Sequence, residues 1–275
     1  MNNDKQIFQK VATGDLIVPI EDACTMNGEY SESYPIGFPI FDKAMKVNEN
    51  DNGGVRDGDL IVITGISGNG KTTFAQNITL NLAKLHFPCL FFSYEVIVDN
   101  LYAKFKIMGY EDKTNIYSPK KNITGNIKWI KEKIIEAKEK FQVKVVIIDH
   151  IDYLSPANNN NSEQLRMRLR NITQELKEIA LEQKVIIFLM AHTKKVEGRS
   201  VEMQDITESA GIYQLADYVF SVGRTYEKEE VNGQTINVAL DEGAVRLLKN
   251  RLTGKMPYMK FKMENNIIKE LRDEL

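Results

Sequence analysis

The stretch GISGNGKT at residues 65–72 satisfies the pattern G-x-x-x-x-G-K-S/T at every fixed position. It follows a short apolar run at 59–64, typical of a buried strand, and precedes residues 73–85, whose spacing predicts a helix. A glycine-rich loop at a helix N-terminus offers backbone N–H groups and positive potential to a phosphate. With glycine at roughly 7% of residues, chance produces the pattern in on the order of one per cent of such chains. The sequence therefore predicts a phosphate-binding loop rather than an accidental turn.

The residue types in this loop indicate its ligand and metal. Lys71 is expected to contact the β- and γ-phosphates, and Thr72 is expected to ligate Mg²⁺. ATP, or a similar nucleotide, is the expected ligand. The residues predicted to touch the nucleotide are Gly65, Ser67, Gly68, Asn69, Gly70, Lys71, Thr72 and Thr73.

The length of 275 residues and the 43% hydrophobic content suit one large globular domain with a small appendage. Residues 1–34 are polar and carry neither a helix stripe nor strand alternation, so we assign them to an N-terminal arm. The arm is either a solvated tail or a segment that docks on a neighbouring subunit. Residues 35–275 are assigned to the globular domain.

Overall charge does not select a partner. The chain has 36 Lys+Arg against 38 Asp+Glu, so any contact with nucleic acid must be local. No stretch approaches the roughly 18 apolar residues of a membrane span, and the N-terminus lacks a signal-peptide pattern. Cys24 and Cys89 match no metal-binding spacing and are interpreted as thiols of a reducing compartment. We expect a cytoplasmic protein without a membrane partner.

Three further buried-strand patterns end in residues that can do chemistry. Glu95 follows the run CLFFSY, Asp149 ends KVVIID, and His192 follows VIIFLMA. Ligands of open α/β sheets bind outside the carboxyl ends of the strands, so these groups can face the nucleotide. Asp149 fits a Walker B aspartate that holds Mg²⁺, and His192 is a candidate γ-phosphate sensor. The alternatives are a capping or surface charge for Glu95 and an ordinary structural histidine for His192. His150 and Asp152, which follow Asp149, are interpreted as residues that cap or solvate the turn.

Two amphipathic helices and a late group of strands complete the pattern. The helix stripes are Ile127, Ile130, Ile134, Ala137 and Phe141, then Leu165, Leu169, Ile172, Leu176 and Ile179. Strands are predicted at 217–222, 244–249 and 256–263, with a hairpin turn at Asn232-Gly233. Because helices alternate with strands until the C-terminal strands follow one another, we expect a mostly parallel sheet with antiparallel additions.

Two groups of basic residues remain open to two interpretations. Lys194, Lys195 and Arg199 lie in a polar segment that is either an exposed loop or a contact for nucleic-acid phosphates. Lys249 and Arg251 point to the same side if their strand continues, as surface charges or as functional groups. Periodicity does not distinguish these alternatives.

The order of these motifs resembles the RecA-like ATPase core, specifically the C-terminal motor domain of DnaB-type replicative helicases, over roughly residues 35–265. The resemblance implies an α/β P-loop NTPase fold with a mostly parallel central sheet flanked by helices and with C-terminal antiparallel strands. The motifs are GFPIFD at 37–42, RDGDL at 56–60, the phosphate loop, SYE at 93–95, ID at 148–149, AH at 191–192, DITES at 205–209, QLAD at 214–217 and KNR at 249–251.

The resemblance also implies roles for single residues. Glu95 looks like the catalytic carboxylate that polarises the attacking water. Lys249 and Arg251 look like the pair that enters a neighbouring subunit's nucleotide site, which implies a ring, expected to be a homohexamer. Lys194, Lys195 and Arg199 then become the expected contacts to single-stranded DNA.

Two departures from the family pattern bear on function. The family usually carries glutamine where this chain has His192, and its helical N-terminal domain does not fit into about 34 residues. The arm, or another protein such as a loader or primase, is expected to help assemble the ring. The alternative functions are a RecA-like recombination or annealing ATPase and a KaiC- or RadA-like regulatory ATPase that acts on a protein partner.

Overall fold

The computed structural model describes residues 19–20, 30–111, 115–155, 162–193, 210–231 and 234–271. The chain divides into two compact units, Met1–Glu32 and Ser33–Leu275. Most of the predicted arm lies outside the described residues, so its two alternatives stay open. The elements below belong to the second unit.

The described secondary structure alternates between strands and helices before ending in strands alone. The strands are β1 Ser33–Tyr34, β2 Val55–Arg56, β3 Leu60–Gly65, β4 Cys89–Ser93, β5 Ile116–Tyr117, β6 Val145–Asp149, β7 Ile186–His192, β8 Tyr218–Val231, β9 Gln234–Asn250, β10 Tyr258–Glu264 and β11 Ile267–Glu270. The helices are α1 Pro39–Ala44, α2 Lys71–Lys84, α3 Val98–Ile107, α4 Ile127–Phe141, α5 Ser162–Gln183 and α6 Ala210–Leu215, with a 3₁₀ turn at Ile151–Leu154. None of these helices is long and apolar enough to cross a bilayer.

The main sheet has the strand order β11-β10-β9-β8-β3-β7-β6-β4-β5. Strands β8, β3, β7, β6, β4 and β5 pair in parallel, whereas β8 to β11 form successive antiparallel pairs. The predicted α/β class, with a mostly parallel sheet and C-terminal antiparallel strands, is confirmed. The order itself, which alternation along the sequence does not determine, places β3 between β7 and β8.

The sheet is covered by helices on both faces, so its central strands are apolar on both sides. Ile61 and Ile63 of β3 belong to the hydrophobic cluster that includes Phe74 of α2, together with residues of α1 and α3. Leu60 and Val62, which alternate with them, belong to a second cluster with Leu176 of α5 and residues of α4 and α6. The continuous apolar run at the start of the phosphate-loop motif is therefore explained by burial on both faces.

The two predicted helix stripes are buried in their central parts, and Ile127 at the start of α4 is half-buried. Their buried members are Ile130, Ile134 and Ala137 in α4 and Leu169, Ile172, Leu176 and Ile179 in α5. Phe141 and Leu165 are both 43% exposed, so the predictions were wrong for these two positions. Phe141, the last residue of α4, instead stacks on Tyr117 with ring centroids 4.2 Å apart.

The predicted hairpin is confirmed, but its strands are much longer than the apolar pattern indicated. Strand β8 extends to Val231, which pairs with Gln234 across the Asn232-Gly233 connection. Residues 225–230 are exposed, so they carry no burial signal that alternation could reveal. Cross-strand hydrogen bonds define this outer part of the hairpin.

Asn77 joins the phosphate-loop helix to the last hairpin of the sheet. Its amide oxygen accepts from the Ile268 N–H at 3.0 Å, and its amide nitrogen donates to the carbonyl of Asn266 at 2.8 Å. The same nitrogen donates to the carbonyl of Thr73 at 2.8 Å. Asn77 is only 5% exposed and its bond with the Ile268 N–H is buried, so this N–H has little access to water as an alternative partner.

We expect Asn77→Ala to lower the free energy of unfolding by about 1–3 kcal/mol, because it leaves the buried Ile268 N–H of β11 unpaired and removes the bond to the Asn266 carbonyl. Urea denaturation followed by circular dichroism measures this change. Lys84→Ala is the matched control, since Lys84 is an exposed residue in the last turn of the same helix. The control is expected to stay within about 0.5 kcal/mol of wild type. Equal effects from the two substitutions would contradict a structural role for Asn77.

Candidate active site

The phosphate-loop motif lies where the sequence predicts it, between the end of β3 and the start of α2. Gly65, Gly68 and Gly70 have φ values of +147°, +81° and +90°, a range that L side chains rarely adopt. A Cβ added to Gly65 would lie 2.3 Å from the carbonyl oxygen of Val222 in β8. The loop thus needs glycine for its backbone conformation at three positions and for space at the first of them.

Lys71 extends over the loop that precedes it. Its Nζ donates to the carbonyl oxygens of Gly65 at 2.9 Å and Ile66 at 3.1 Å. Burial lowers the pKa of this amine, and the carboxylate of Glu95 is the largest opposing influence. The ammonium group therefore lies at the loop, in the position from which it can exchange carbonyl partners for phosphate oxygens.

Thr72 and Asp149 meet across the start of α2 and the end of β6. The Thr72 hydroxyl donates to Asp149 Oδ2 at 2.8 Å. Burial raises the pKa of Asp149, and the negative charge of Glu95 raises it further, while the bond from Thr72 opposes both. A hydroxyl and a carboxylate are oxygen ligands of the kind that Mg²⁺ prefers, so the residues at this position fit that ion.

The other predicted nucleotide contacts differ in exposure. Ser67 and Gly68 are exposed at the top of the loop, and Thr73 is half-buried in the first turn of α2. Asn69 is 5% exposed, and its Oδ1 accepts a hydrogen bond from the Tyr226 hydroxyl of β8. Tyr226 was not identified from the sequence, because it lies in the exposed, charge-rich part of the strand.

Glu95, His150 and His192 form a compact cluster at the carboxyl ends of β4, β6 and β7. Glu95 Oε1 lies 3.3 Å from His150 Nδ1 and 3.5 Å from His192 Nε2. The two imidazole rings pack edge to face with centroids 4.2 Å apart. Since β4, β6 and β7 are neighbours in the sheet, the strand-end rule that selected Glu95 and His192 also explains why they meet.

His150 is the member of this cluster that sequence reasoning missed. The sequence suggested only that His150 and Asp152 cap or solvate the turn, yet His150 is 5% exposed and its Nε2 lies 3.0 Å from Asp152 Oδ2. A signal was available, because His150 directly follows the Walker B Asp149 at a strand end. Burial lowers the pKa of His192, and the positive charge of Lys71 lowers it further.

Lys249 and Arg251 are remote from the phosphate loop of their own chain. The Asp217 carboxylate accepts from Arg251 Nη1 at 3.0 Å and from the Leu60 N–H at 2.9 Å. Leu60 is the first residue of β3, whereas Gly65 is the last. At about 3.3 Å per residue these two ends of the strand are about 17 Å apart.

The side chains of Lys249 and Arg251 differ in their hydrogen bonds and in their exposure. Lys249 Nζ donates to the carbonyl oxygens of Tyr213, Gln214 and Ala216 at 2.9, 3.0 and 2.7 Å, at the C-terminal end of α6. Burial lowers the pKa of Lys249, and the nearby charge of Arg251 acts in the same direction. Arg251 also donates to the carbonyl of Gln214 at 3.1 Å, but its side chain is 52% exposed. Arg251 is therefore the more accessible of the pair.

The remaining predicted residues, Lys194, Lys195 and Arg199, lie outside the described part of the chain. They follow β7, whose last residue is His192.

Comparison with known proteins extends these observations. A probable replicative DNA helicase from Trieres chinensis is 26% identical over 220 residues, which cover 67% of this chain and 48% of the relative. The replicative DNA helicase DnaB of Mycoplasma genitalium is 25% identical over 275 residues, which cover 87% of this chain and 54% of the relative. The chain thus spans about half the length of these curated relatives.

The fold is shared with solved proteins. The structure of a DnaB-like replicative helicase, studied with its primase interactions, matches with a TM-score of 0.69 at 17% identity, covering 98% of this chain and 71% of the other. These findings confirm the predicted RecA-like ATPase core and its likeness to DnaB-type helicases. The family model described as "ATPase: KaiC" matches residues 34–220, more than half of the sequence, and the chain accordingly belongs to this family of ATPases.

Proposed function

We propose that this chain is a ring-forming, DnaB-like helicase or translocase that moves on single-stranded DNA and hydrolyses ATP at the boundaries between subunits. The observation that carries the proposal is the position of Arg251, about 17 Å along β3 from its own phosphate loop and half exposed. A guanidinium in such a position can serve a nucleotide only on another subunit. The similarity to DnaB-type helicases supports the choice of DNA as the substrate.

In this proposal the backbone amides of the loop and the Lys71 ammonium hold the phosphates of ATP. Thr72 and Asp149 would hold Mg²⁺, and the ion would supply positive charge that offsets the charge of the phosphates. Glu95 accepts a hydrogen bond from the attacking water and orients it toward the γ-phosphorus. Arg251 of the neighbouring subunit stabilises the negative charge that develops on the transferred phosphoryl group.

His192 is the proposed connection between hydrolysis and movement. As a γ-phosphate sensor it would gain a hydrogen-bond acceptor when ATP binds and lose it when phosphate leaves. The segment with Lys194, Lys195 and Arg199 begins two residues later. A shift of His192 would therefore reach the proposed DNA contacts through a very short stretch of backbone.

The proposed assembly is a homohexamer, with Lys249 fixing the end of α6 beside Arg251. A loader or a primase is the proposed protein partner, because a DnaB-like helicase of the same fold has been studied with primase.

A second candidate function is that of a regulatory ATPase acting on a protein, which the match to the KaiC family model favours. If single-stranded DNA neither binds to the chain nor raises its ATPase rate, the second function replaces the first.

We expect Lys71→Ala to weaken ATP binding about 10–100-fold, because the substitution removes a charge-assisted contact to phosphate. Titration with a fluorescent ATP analogue measures the affinity. Lys84→Ala, an exposed lysine at the other end of α2, is the control and should bind as wild type does. Unchanged binding and turnover in Lys71→Ala would show that residues 65–72 are not the nucleotide site.

Arg251→Ala and Glu95→Ala are each expected to lose hydrolysis while retaining ATP binding. Mixing the two proteins should restore part of the activity, because some boundaries then combine an intact Glu95 with an intact Arg251 from the next subunit. Steady-state ATPase assays after subunit exchange measure the recovery. Lys255→Ala, which changes an exposed residue just beyond Arg251, is the control and should remain active alone. No recovery despite demonstrated exchange would argue against shared sites.

The triple substitution Lys194→Ala/Lys195→Ala/Arg199→Ala is expected to abolish stimulation of the ATPase by single-stranded DNA but to preserve basal hydrolysis. Each lost phosphate contact should also reduce the slope of log affinity against log salt by about 0.7. Fluorescence anisotropy with an oligothymidine at several salt concentrations measures this slope. A slope equal to that of wild type would place the DNA contacts elsewhere.

A further inference from the structure

We propose that Glu95, His150 and His192 form a binding site for a divalent transition metal of the Zn²⁺ class, separate from the Mg²⁺ position at Thr72 and Asp149. One ligand atom from each of the three residues lies within 4.8 Å of the other two. The three come from the ends of three adjacent strands of a rigid sheet. His192 ends β7, His150 is one residue beyond β6, and Glu95 is two residues beyond β4, so the sheet sets the spacing of the cluster.

The short distances within the cluster are those between neighbouring ligands of one tetrahedral ion. Zinc binds imidazole nitrogen and carboxylate oxygen at about 2.0–2.2 Å, so two ligands at a tetrahedral angle lie about 3.3–3.5 Å apart. Glu95 Oε1 lies 3.3 Å from His150 Nδ1 and 3.5 Å from His192 Nε2. The ligand atoms of the two imidazoles lie within 4.8 Å of each other, so one ring would have to rotate on metal binding to bring them to the same spacing.

His150 provides the observation that distinguishes a ligand site from a simple acidic cluster. The residue is only 5% exposed, and its Nδ1 makes no hydrogen bond to any residue that the structure describes, although Glu95 Oε1 is only 3.3 Å away. The oxygen does not lie in line with the ring N–H direction. Two ligand atoms bound to one tetrahedral ion have this geometry, because the lone pair of each atom is directed at the ion and not at the other ligand.

Asp152 contacts His150 from outside the cluster of Glu95, His150 and His192. Its Oδ2 lies 3.0 Å from His150 Nε2, so in the neutral tautomer with its proton on Nε2 the ring donates to Asp152 and Nδ1 carries the lone pair. Histidines that bind metals commonly donate their other N–H to a carboxylate in this manner, which fixes both the tautomer and the ring orientation. Asp152 is therefore a positioning residue for the proposed ligand.

The donor set selects the class of ion. Two imidazoles and one carboxylate suit Zn²⁺ and its neighbours, whereas Mg²⁺ prefers oxygen alone. Occupation of this site would engage the Glu95 carboxylate that the proposed function assigns to the attacking water. The metal would then stop hydrolysis while leaving the phosphate loop able to bind ATP, a consequence that rests on the proposed function.

Titration of the nucleotide-free protein with Co²⁺ tests the site directly, because tetrahedral Co²⁺ absorbs visible light and competes with Zn²⁺. We expect one equivalent to bind to wild type and to be displaced by Zn²⁺. Asp152→Asn should weaken binding about 10–100-fold. His150→Ala and His192→Ala should each weaken it more than Asp152→Asn does. His192 is less buried than His150, so its variant provides a test with less disturbance of the core.

The chain has three histidines, and the third, His86, is exposed outside this cluster. His86→Ala is therefore the matched control and should bind Co²⁺ as wild type does. Unfolding midpoints of all variants identify any that fail to fold. The absence of tetrahedral Co²⁺ absorption in wild type, or binding as tight as wild type in either His150→Ala or His192→Ala, would overturn the proposal.

A separate ATPase measurement distinguishes the site from the proposed function. Micromolar Zn²⁺ should inhibit Mg²⁺-dependent ATP hydrolysis, and a zinc-selective chelator should restore it. If wild type hydrolyses no ATP under any condition, the proposed function fails, whereas the metal site is still judged by Co²⁺ absorption. If the chain binds Co²⁺ at the cluster but Zn²⁺ leaves hydrolysis unchanged, the inferred block of Glu95 is wrong.

Discussion

The phosphate loop depends on the close approach of β8 to the end of β3, where the loop begins. At Gly65 there is no room for a side chain, because the Val222 carbonyl lies 2.3 Å from where a Cβ would be. Glycine at this position allows β3, which is buried on both faces, to lead directly into the loop. The loop in turn sets where α2 begins and where Lys71 and Thr72 lie. The carboxyl ends of β4, β6 and β7 then supply Glu95, Asp149 and His192 to the same edge. Functional residues that are more than a hundred positions apart in the sequence therefore lie together at one edge of the sheet.

The same central strand has two ends with different surroundings. Gly65 opens the phosphate loop at one end, while Leu60 at the other end bonds to Asp217, which in turn holds Arg251. Lys177 also donates to Asp217, at 2.6 Å. A rigid strand thus joins the nucleotide-binding edge of the chain to the group proposed to act on a neighbour. Movement of either end would be shared by the whole strand, because its ladder to β7 and β8 is continuous.

Sequence alone predicted those parts of the fold that depend on burial. Apolar runs located β3, β4, β6 and β7, and helical spacing located the buried sides of α4 and α5, because both patterns follow directly from which side chains avoid water. The strand order could not be derived, since it depends on tertiary packing. The outer half of the β8–β9 hairpin was missed because residues 225–230 are exposed. Within the site, His150 was undervalued because a single histidine in sequence gives no sign that a carboxylate lies beside each of its nitrogens.

The long β8–β9 hairpin has a mechanical consequence. Tyr226 bonds to Asn69 of the phosphate loop, and β8 continues for five residues beyond it, a length of about 17 Å. This bond joins the hairpin to the phosphate loop at the point where the exposed outer part of the hairpin begins. A displacement of the loop on taking up phosphate would therefore act on the hairpin through Tyr226, and the position of the exposed strands beyond it would depend on the nucleotide.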